Sequence, residues 1–306
     1  MPEADNMTDV YCYGLVELSS IYTLSGNFPG ADGYKEVESF ISIPGGEATN
    51  AAVVLSRLGV STKIAGTWLG EDVYAEVVKY FKKEGVNTSS LEKKNNYSGP
   101  RDLVFVSADG RSVFGWFGKL WSTGIKWPKP KEADIKNCRV ACIDPFMPHG
   151  SDIAAKLCLK HGKKYVTIDE KFDNAIIRNS AIAVISKEFI HREYPDAGIS
   201  ALFEKYITNC PGLVIFTFGS KPLIYGRRGE KPKTFPPFKI KAVDTLGAGD
   251  TFRAGTAYGL LRGMRDDKII EFASALAAMV CATGPGVTKS PSLAKVKKFI
   301  GKQGRL

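Results

Sequence analysis

The sequence is poor in the residues that build metal and redox sites. Its three histidines are scattered, and none of its six cysteines forms a C-x-x-C pair. Zinc sites and disulfide frameworks need such residues at short, regular spacing. Most of the cysteines lie in apolar segments, so buried reduced thiols are expected at Cys12, Cys138, Cys142, Cys158, Cys210 and Cys281.

The sequence also lacks a long apolar run, and its first residues do not resemble a signal peptide. The longest run of small apolar residues, 273–282, is too short to cross a bilayer. The first six residues have neither the basic nor the apolar region of a signal peptide. We therefore expect a soluble cytoplasmic protein that does not contact membranes.

Positive charge is abundant but not concentrated. The formal net charge is +10, yet the basic clusters at 79–83, 129–131 and 295–298 lie far apart in the sequence. A nucleic-acid interface needs a contiguous basic face. Nucleic acid is therefore not expected as a partner, whereas attraction of anionic nucleotides is consistent with this surface.

Apolar strand patterns alternate with helical patterns through most of the 306 residues. Such alternation predicts an α/β fold, with a mostly parallel sheet between two layers of helices. The predicted strands are 10–16, 62–68, 139–143, 164–169, 181–185 and 213–218. The predicted helices are 49–58, 72–83, 152–161, 200–206, 248–263 and 267–283.

Two regions break this alternation and predict a second, smaller sheet. Residues 34–43 look like a strand without a preceding helix, and Asp109-Gly110 separates two alternating runs as in a hairpin. Ligands of open α/β sheets bind at the carboxyl ends of the strands, where a lid would lie. We expect one domain over 1–306 with lid strands from about 15–43 and 99–120. The alternative is an edge extension used for homodimer contacts, and one sheet could serve both roles.

A glycine pair at Gly45-Gly46 precedes the first predicted helix. Glycines let the backbone approach a ligand closely. Asn50 would project from the first turn of that helix, and its amide suits a sugar hydroxyl. The alternative is an ordinary helix entry with Asn50 on the surface.

A second glycine turn, Gly247-Ala248-Gly249, opens a small-residue helix and is followed at once by Asp250. Amide groups at such a turn and the positive end of the helix dipole favour phosphate oxygens. A carboxylate beside them is suited to taking a proton from an attacking hydroxyl. The turn matches neither the P-loop nor the dinucleotide motif, both of which are absent from the chain.

Together and in this order, the two motifs make the chain resemble the ribokinase-like, PfkB-type carbohydrate kinases. Residues 44–59 resemble that family's first signature, and 243–255 resemble its second. The resemblance extends over about residues 9–302. It implies a three-layer α/β/α domain with a small β-sheet lid, Asp250 as catalytic base, and Gly247, Ala248 and Gly249 as anion hole.

The resemblance also implies the remaining contacts. Gly45, Gly46 and Asn50 match substrate contacts, and Thr217 with Gly219 matches the turn along the nucleotide. Residues 274–286, which include Ser274 and Ala278, match the wall of the adenine site. Asp244 and the Ser290 hydroxyl match the monovalent-cation site, for which K⁺ is the candidate. ATP with Mg²⁺ is the implied phosphate donor.

The chain departs from the family pattern at three places. Ser19 stands where members usually place an aspartate that grips sugar hydroxyls. Ser186-Lys187-Glu188 replaces the frequent Asn-x-x-Glu magnesium motif, so Ser186 is expected to serve the nucleotide instead. Pro222 replaces a common glycine. These departures bear on the identity of the acceptor and on metal positioning more than on activity.

Other candidates rest on position alone. Asp144 and Asp169 each end a predicted strand at the ligand edge, where a simple turn role is the alternative. Arg101, Phe105 and Phe117 lie on the predicted lid and could face the substrate. Alternation places Phe105 on the same face as Leu103 without saying which face that is.

We therefore expect an ATP-dependent kinase that phosphorylates a hydroxyl of a small sugar or related polyol. A nucleoside kinase of the same fold is one alternative, favoured if Phe105 or Phe117 stacks over the acceptor. A non-catalytic sugar or nucleotide sensor is the other.

Overall fold

The structure is a computed structural model that describes residues 7–116 and 127–303. Its strands are β1 (Thr8–Gly14), β2 (Glu17–Leu24), β3 (Val37–Gly45), β4 (Thr62–Gly66), β5 (Leu69–Gly70), β6 (Lys93–Lys94), β7 (Arg101–Ser107), β8 (Gly110–Gly115), β9 (Cys138–Ile143), β10 (Lys164–Ile168), β11 (Ile182–Ser186), β12 (Leu213–Phe218), β13 (Lys221–Gly226) and β14 (Lys233–Phe235). Its helices are α1 (Glu47–Arg57), α2 (Glu71–Lys83), α3 (Glu132–Lys136), α4 (Pro148–Lys160), α5 (Lys187–Glu193), α6 (Ile199–Asn209), α7 (Ala248–Leu261), α8 (Asp266–Cys281) and α9 (Leu293–Lys302).

The main sheet has eight strands in the order β14-β13-β12-β11-β10-β9-β1-β4. The six strands from β12 to β4 run parallel, and β13 and β14 are added antiparallel at one edge. The predicted mostly parallel sheet is therefore confirmed. The antiparallel edge was not predicted, because β13 and β14 are short and carry only a weak apolar pattern.

Both faces of this sheet are covered, because successive side chains of a strand point to opposite sides. In β1, Val10 and Cys12 pack into the core formed with α1, α7 and α8. Tyr11 and Tyr13 pack into the core on the side of α3 and α4. This arrangement is the predicted three-layer α/β/α architecture.

Helices α7 and α8 pack very closely through glycine. A Cβ atom at Gly255 would lie 2.7 Å from the Cα of Ala273, and one at Gly259 would lie 2.7 Å from Ile269 Cγ1. The small-residue pattern of α7 therefore allows the helix backbones to approach, and it fixes α7 against α8.

The smaller sheet has the order β3-β2-β7-β8, with β2 parallel to β7 and antiparallel to β3. It contains the two predicted lid regions and the hairpin at Asp109-Gly110. Phe117 and the end of the 99–120 range lie outside the described residues.

The described part of the chain has no helix that is both long and apolar enough to cross a membrane. All six cysteines are free thiols, of which five are buried and Cys281 is partly buried.

Candidate active site

The two glycine turns that stand far apart in the sequence meet in the structure. Gly46 is the N-cap of α1 with φ 94°, and Gly247 is the N-cap of α7 with φ 71°. Both angles favour glycine, and a Cβ at Gly46 would also lie 2.4 Å from the Leu15 carbonyl oxygen. The side-chain amide of Asn50 donates a hydrogen bond of 2.8 Å to Asp250 Oδ2. The first turns of α1 and α7 therefore form one group.

The turn that opens α7 leaves amide donors available. The Ala248 amide donates to the Thr245 carbonyl at 3.2 Å, and the Thr251 amide donates to the Gly247 carbonyl at 2.9 Å. The amides of Gly249 and Asp250 donate to no acceptor among residues 7–116 and 127–303. Together with the helix dipole, they can hold an anion such as a phosphoryl group.

Asp250 lies beside these amides in a desolvated setting. Burial raises the pKa of its carboxyl group, while Arg253, the hydrogen bond from Asn50 and the charge of Arg111 act in the opposite direction. A carboxylate with a raised pKa is a stronger base than a solvated one. The arrangement is therefore suited to accepting a proton next to a bound anion.

Arg253 is fully buried behind the carboxylates. Its Nη2 donates to the Glu47 carbonyl at 2.7 Å, and its Nη1 donates to the Ile143 carbonyl at 3.5 Å. Burial alone would lower the pKa of Arg253, but the charges of Asp144 and Asp250 outweigh it and raise the pKa. Arg253 thus joins α7, α1 and the end of β9 and balances their negative charge.

Asp144 follows β9 and is held firmly in place. Its carboxylate accepts hydrogen bonds from the amides of Leu15 at 3.1 Å and Phe146 at 3.0 Å. Glycine is required opposite it, since a Cβ at Gly14 would lie 2.1 Å from Asp144 Cβ. Burial raises the pKa of Asp144, whereas Arg253 and the two amides lower it.

The lid contributes Ser19, which packs directly on the first glycine motif. A Cβ at Gly45 would lie 2.0 Å from Ser19 Oγ. Ser19 faces Asp102 on the neighbouring strand, and both are buried. The structure therefore brings Gly45, Gly46, Asn50, Asp144 and Ser19 to the same end of the cleft as Asp250.

Arg101 and Phe105 are not part of this group. Arg101 is one position before Asp102 and Phe105 is three positions after it, so both side chains point to the opposite face of the lid. Arg101 forms an ion pair with Asp72 on α2, and Phe105 stacks on Tyr22 with ring centroids 5.2 Å apart. Alternation alone could not reveal this, because it does not say which face is turned inward.

The predicted nucleotide contacts lie at the carboxyl ends of β11 and β12. Ser186 and Thr217 are opposite each other in the two strands, and Gly219 adopts φ 62° in the turn that follows. Ser186 Oγ accepts a hydrogen bond of 3.1 Å from the Phe189 amide as the N-cap of α5. It also donates to Asp169 at 2.9 Å. Ser186 is thus already engaged in local structure.

Ser274 and Ala278 lie one turn apart on α8, and both are partly buried. The Ser274 hydroxyl is shielded from solvent and has no hydrogen-bond partner within the described residues. A buried hydroxyl without a hydrogen-bond partner destabilises the fold, and a ligand on this face of α8 could supply that partner.

The predicted cation site is largely occupied by internal hydrogen bonds. Asp244 accepts from the amides of Leu246 at 2.9 Å and Gly286 at 2.7 Å. Ser290 Oγ accepts from Arg57 Nη1 at 3.3 Å. Among residues 7–116 and 127–303, no group of three His, Cys, Asp or Glu side chains is arranged to hold a metal ion.

Sequence reasoning missed Glu17, Asp102 and the role of Arg253. Arg253 had a signal, since it is the one charged residue in the small apolar stretch 251–261. Glu17 and Asp102 had none, because their neighbours in space come from other strands.

A three-layer α/β/α fold with a β-sheet lid, and a carboxylate among free amides at a helix start, define a small-molecule phosphotransferase. The model of the pfkB family of carbohydrate kinases matches residues 7–292. The chain belongs to this family and is a carbohydrate kinase.

Similar proteins support this assignment. The chain is 24% identical to a ribokinase of Lactococcus lactis over 84% of this chain and 85% of the relative. It is 25% identical to a nucleoside kinase of Methanothermobacter thermautotrophicus over 90% of this chain and 91% of the relative. The structure of Arabidopsis thaliana ribokinase complexed with ribose and ATP has the same fold, with a TM-score of 0.81 and 20% identity. The match covers 96% of this chain and 98% of the Arabidopsis chain.

Proposed function

We propose that this carbohydrate kinase transfers the γ-phosphoryl group of ATP to a hydroxyl of a small sugar or related polyol. The proposal rests on one observation: Asp250 lies in the first turn of α7 beside two available amides and is oriented by Asn50. A base and an anion site within one helical turn are what hydroxyl phosphorylation requires.

In the proposed reaction, the Asp250 carboxylate accepts the proton of the acceptor hydroxyl as its oxygen attacks the γ-phosphorus. The new O–P bond forms while the bond to the β-phosphate oxygen breaks, and ADP leaves. The turn at Gly247, Ala248 and Gly249 holds the charge of the transferring group through the available amides of Gly249 and Asp250. Gly45, Gly46, Asn50 and Asp144 surround the acceptor.

The nucleotide would bind along β12 and α8, where it would contact Thr217, Gly219, Ser274 and Ala278. Ser186 would act indirectly, by capping α5 and holding Asp169.

Among residues 7–116 and 127–303, the side chains at the proposed nucleotide end do not form a magnesium site. Both carboxylate oxygens of Asp169 accept hydrogen bonds from Ser186, and Glu188 is exposed and ion-paired with Lys187. Mg²⁺ therefore fits as an ion carried by the nucleotide phosphates, a common arrangement for this cation. The oxygens of Asp244 and Ser290 already accept hydrogen bonds from amides and from Arg57, so a bound K⁺ would share them with these donors.

A neutral sugar is our first choice of acceptor, and a nucleoside is the second. The nucleoside alternative is favoured by the likeness to nucleoside kinases. Stacking of Phe105 on an acceptor base does not support it, because Phe105 packs against Tyr22 on the outer face. Phe117 lies outside the described residues.

We propose a single catalytic domain that acts in the cytoplasm and dimerises through the outer face of the lid. That face carries an apolar groove of about 280 Å³, lined in part by Phe28, Phe105 and Phe114.

The edges of the lid offer a second means of contact. The edge strands β3 and β8 are unpaired on their outer sides within the described chain, and exposed edges favour pairing with a second copy. Sedimentation analysis of the wild-type protein tests this.

An ATP-consumption assay across neutral pentoses, hexoses, polyols and nucleosides tests the function. We expect turnover with at least one sugar or polyol. Turnover with nucleosides alone would select the second candidate. Ligand binding without turnover of any acceptor would favour the sensor and contradict the proposal.

A further inference from the structure

The inner face of the lid carries three polar side chains that the family signatures do not account for. Ser19 on β2 lies directly opposite Asp102 on β7, and Glu17 lies two residues before Ser19 on the same face. All three are less than 10% exposed, at 6%, 7% and 5% respectively. Polar groups are buried in a lid only at a cost, so this cluster needs an explanation.

Each of the two carboxyl groups has one oxygen without a hydrogen-bond partner in the described part of the chain. Asp102 Oδ1 and Glu17 Oε2 are shielded from solvent and form no hydrogen bond within 7–116 and 127–303. Asp102 interacts with the Ser19 hydroxyl through its carboxyl group, which leaves acceptor capacity unused. An unsatisfied buried acceptor raises the free energy of the folded protein, and hydroxyl groups of a bound ligand would supply the missing hydrogen bonds.

The cluster is turned towards the reaction site. Burial raises the pKa of Glu17, and the nearby charges of Asp102, Asp144 and Asp250 raise it further. The backbone of Gly45, in the first glycine motif, covers Ser19 so closely that no Cβ would fit. The cluster therefore borders the space between the first glycine motif and Asp250, where the acceptor is proposed to bind.

We propose that Asp102 is the carboxylate that binds the acceptor hydroxyls in this enzyme, and that Ser19 orients it from the opposite strand. This inference rests on the proposed kinase function and names a specificity-determining residue for it. The carboxylate comes from β7, and its neighbour on β2 supplies only a hydroxyl. A carboxylate accepts hydrogen bonds from sugar hydroxyls more strongly than a neutral group does.

The same cluster defines the chemical class of the acceptor. Asp102 and Asp144 present carboxyl groups to it, whereas Arg253 is engaged by two backbone carbonyls and by the charges of Asp144 and Asp250. Arg111, whose charge also acts on Asp250, is exposed on β8. An acceptor with its own carboxylate would bring like charges together in a desolvated space. We therefore expect this site to prefer a neutral polyhydroxyl acceptor over a sugar acid.

The test compares Asp102→Asn with the wild-type enzyme on the best neutral acceptor found in the assay panel. We expect the acceptor KM to rise about 10- to 100-fold, the range for losing a charge-assisted hydrogen bond. The KM for ATP should change by less than about twofold. Asp72→Asn is the matched control: it makes the same change on α2, at the ion pair with Arg101 on the outer face of the lid, and should leave both KM values unchanged.

A cross-strand exchange separates binding from folding. The double variant Ser19→Asp/Asp102→Ser returns one carboxylate to the same pair, while Asp102→Ser alone removes it. We expect the exchange to recover most of the acceptor affinity that the single change loses. D-gluconate, a sugar acid, should be a poor acceptor for the wild-type enzyme.

An acceptor KM unchanged in Asp102→Asn, or an exchange variant no better than Asp102→Ser, would overturn the role of Asp102. A parallel loss of melting temperature, ATP affinity and turnover would do the same, because it would mark Asp102 as structural. Efficient phosphorylation of D-gluconate would overturn the acceptor class. Failure of the wild-type enzyme on the whole panel is a different result, because it removes the proposed function itself.

Discussion

Asn50 and Asp250 lie 200 residues apart in the sequence, and a hydrogen bond of 2.8 Å joins their side chains. The bond connects the first turn of α1, on the acceptor side, with the first turn of α7, where the phosphoryl group would bind. The orientation of the proposed base is therefore fixed by a residue from the other signature motif.

Replacing Asp250 by Asn should remove the proposed base and keep its shape. We expect kcat to fall about 10²- to 10⁴-fold, the usual contribution of a general base. ATP affinity, measured by calorimetry, should remain. Asp267→Asn makes the same change in the first turn of α8 and should retain wild-type kcat. Near-complete turnover by the Asp250 variant would refute the mechanism.

Removing the Asn50 amide should change the pH dependence of the reaction. The hydrogen bond from Asn50 lowers the pKa of Asp250, so the pKa should be higher in Asn50→Ala. Asp250 acts as a base only when ionised, and kcat falls as pH drops through its pKa. The acidic limb of the kcat profile should therefore move to higher pH. Ser56→Ala, further along α1, serves as control. A limb that stays in place would show that Asn50 does not tune the base.

Gly247→Ala should damage catalysis more than folding. Gly247 has φ 71°, and an added Cβ would lie 3.0 Å from Val287 Cγ1 and 3.5 Å from Asn50 Nδ2. Gly263→Ala is the matched control, since Gly263 has φ 63° after the same helix and open space around it. Both changes should cost about 1–2 kcal/mol of stability, the usual left-handed penalty. Only Gly247→Ala should lower kcat, by at least about tenfold, because it moves the turn against Asn50. Equal kcat values for the two variants would contradict a catalytic role of this turn.

Glu170 should make the fold less stable as pH rises. Burial raises its pKa from 4.5 to about 8, so the folded protein holds this proton more tightly than the unfolded chain. Stability from this group is present below about pH 4.5 and is lost as pH rises towards 8. Glu170→Gln stays neutral and can still accept the 2.7 Å hydrogen bond from Asn174.

The Glu170→Gln variant should therefore have a higher melting temperature than wild type near pH 8, and the difference should vanish near pH 4.5. Each unit of pKa difference corresponds to about 1.4 kcal/mol. Glu204→Gln, an exposed change on α6, should show no such pH-dependent gain. A gain that is independent of pH would indicate better packing and not relief of a buried charge.

Much of the fold could be predicted because parallel strands buried on both faces leave a strong local signal. Strand 213–218 was predicted at its observed bounds, and most others within two residues. Helix α4 begins earlier than predicted, at Pro148, because proline is favourable in the first turn of a helix. β2 was included in the lid range but not recognised as a strand, since its Ser19-Ser20 pair interrupts the apolar pattern.

The site was predictable where a residue's role follows from its own neighbours in sequence. The glycine turns and Asp250 are of this kind. The inner and outer faces of the lid are not, because they depend on how β2 and β7 pair. Arg101, Asp102 and Phe105 could therefore be assigned to faces only from the strand register.

The close contact between α7 and α8 bears on the distance between Asp250 and the proposed nucleotide site. Asp250 lies in the first turn of α7, and the proposed adenine wall runs along α8. The spacing of these two helices would therefore set the position of the nucleotide relative to the base. Gly255 and Ala273 determine that spacing. A larger side chain at Gly255 would push the donor away from the acceptor, and displacements near 1 Å can cost about 100-fold in rate. Gly255 would thus influence the rate of the transfer step through the spacing of the two helices.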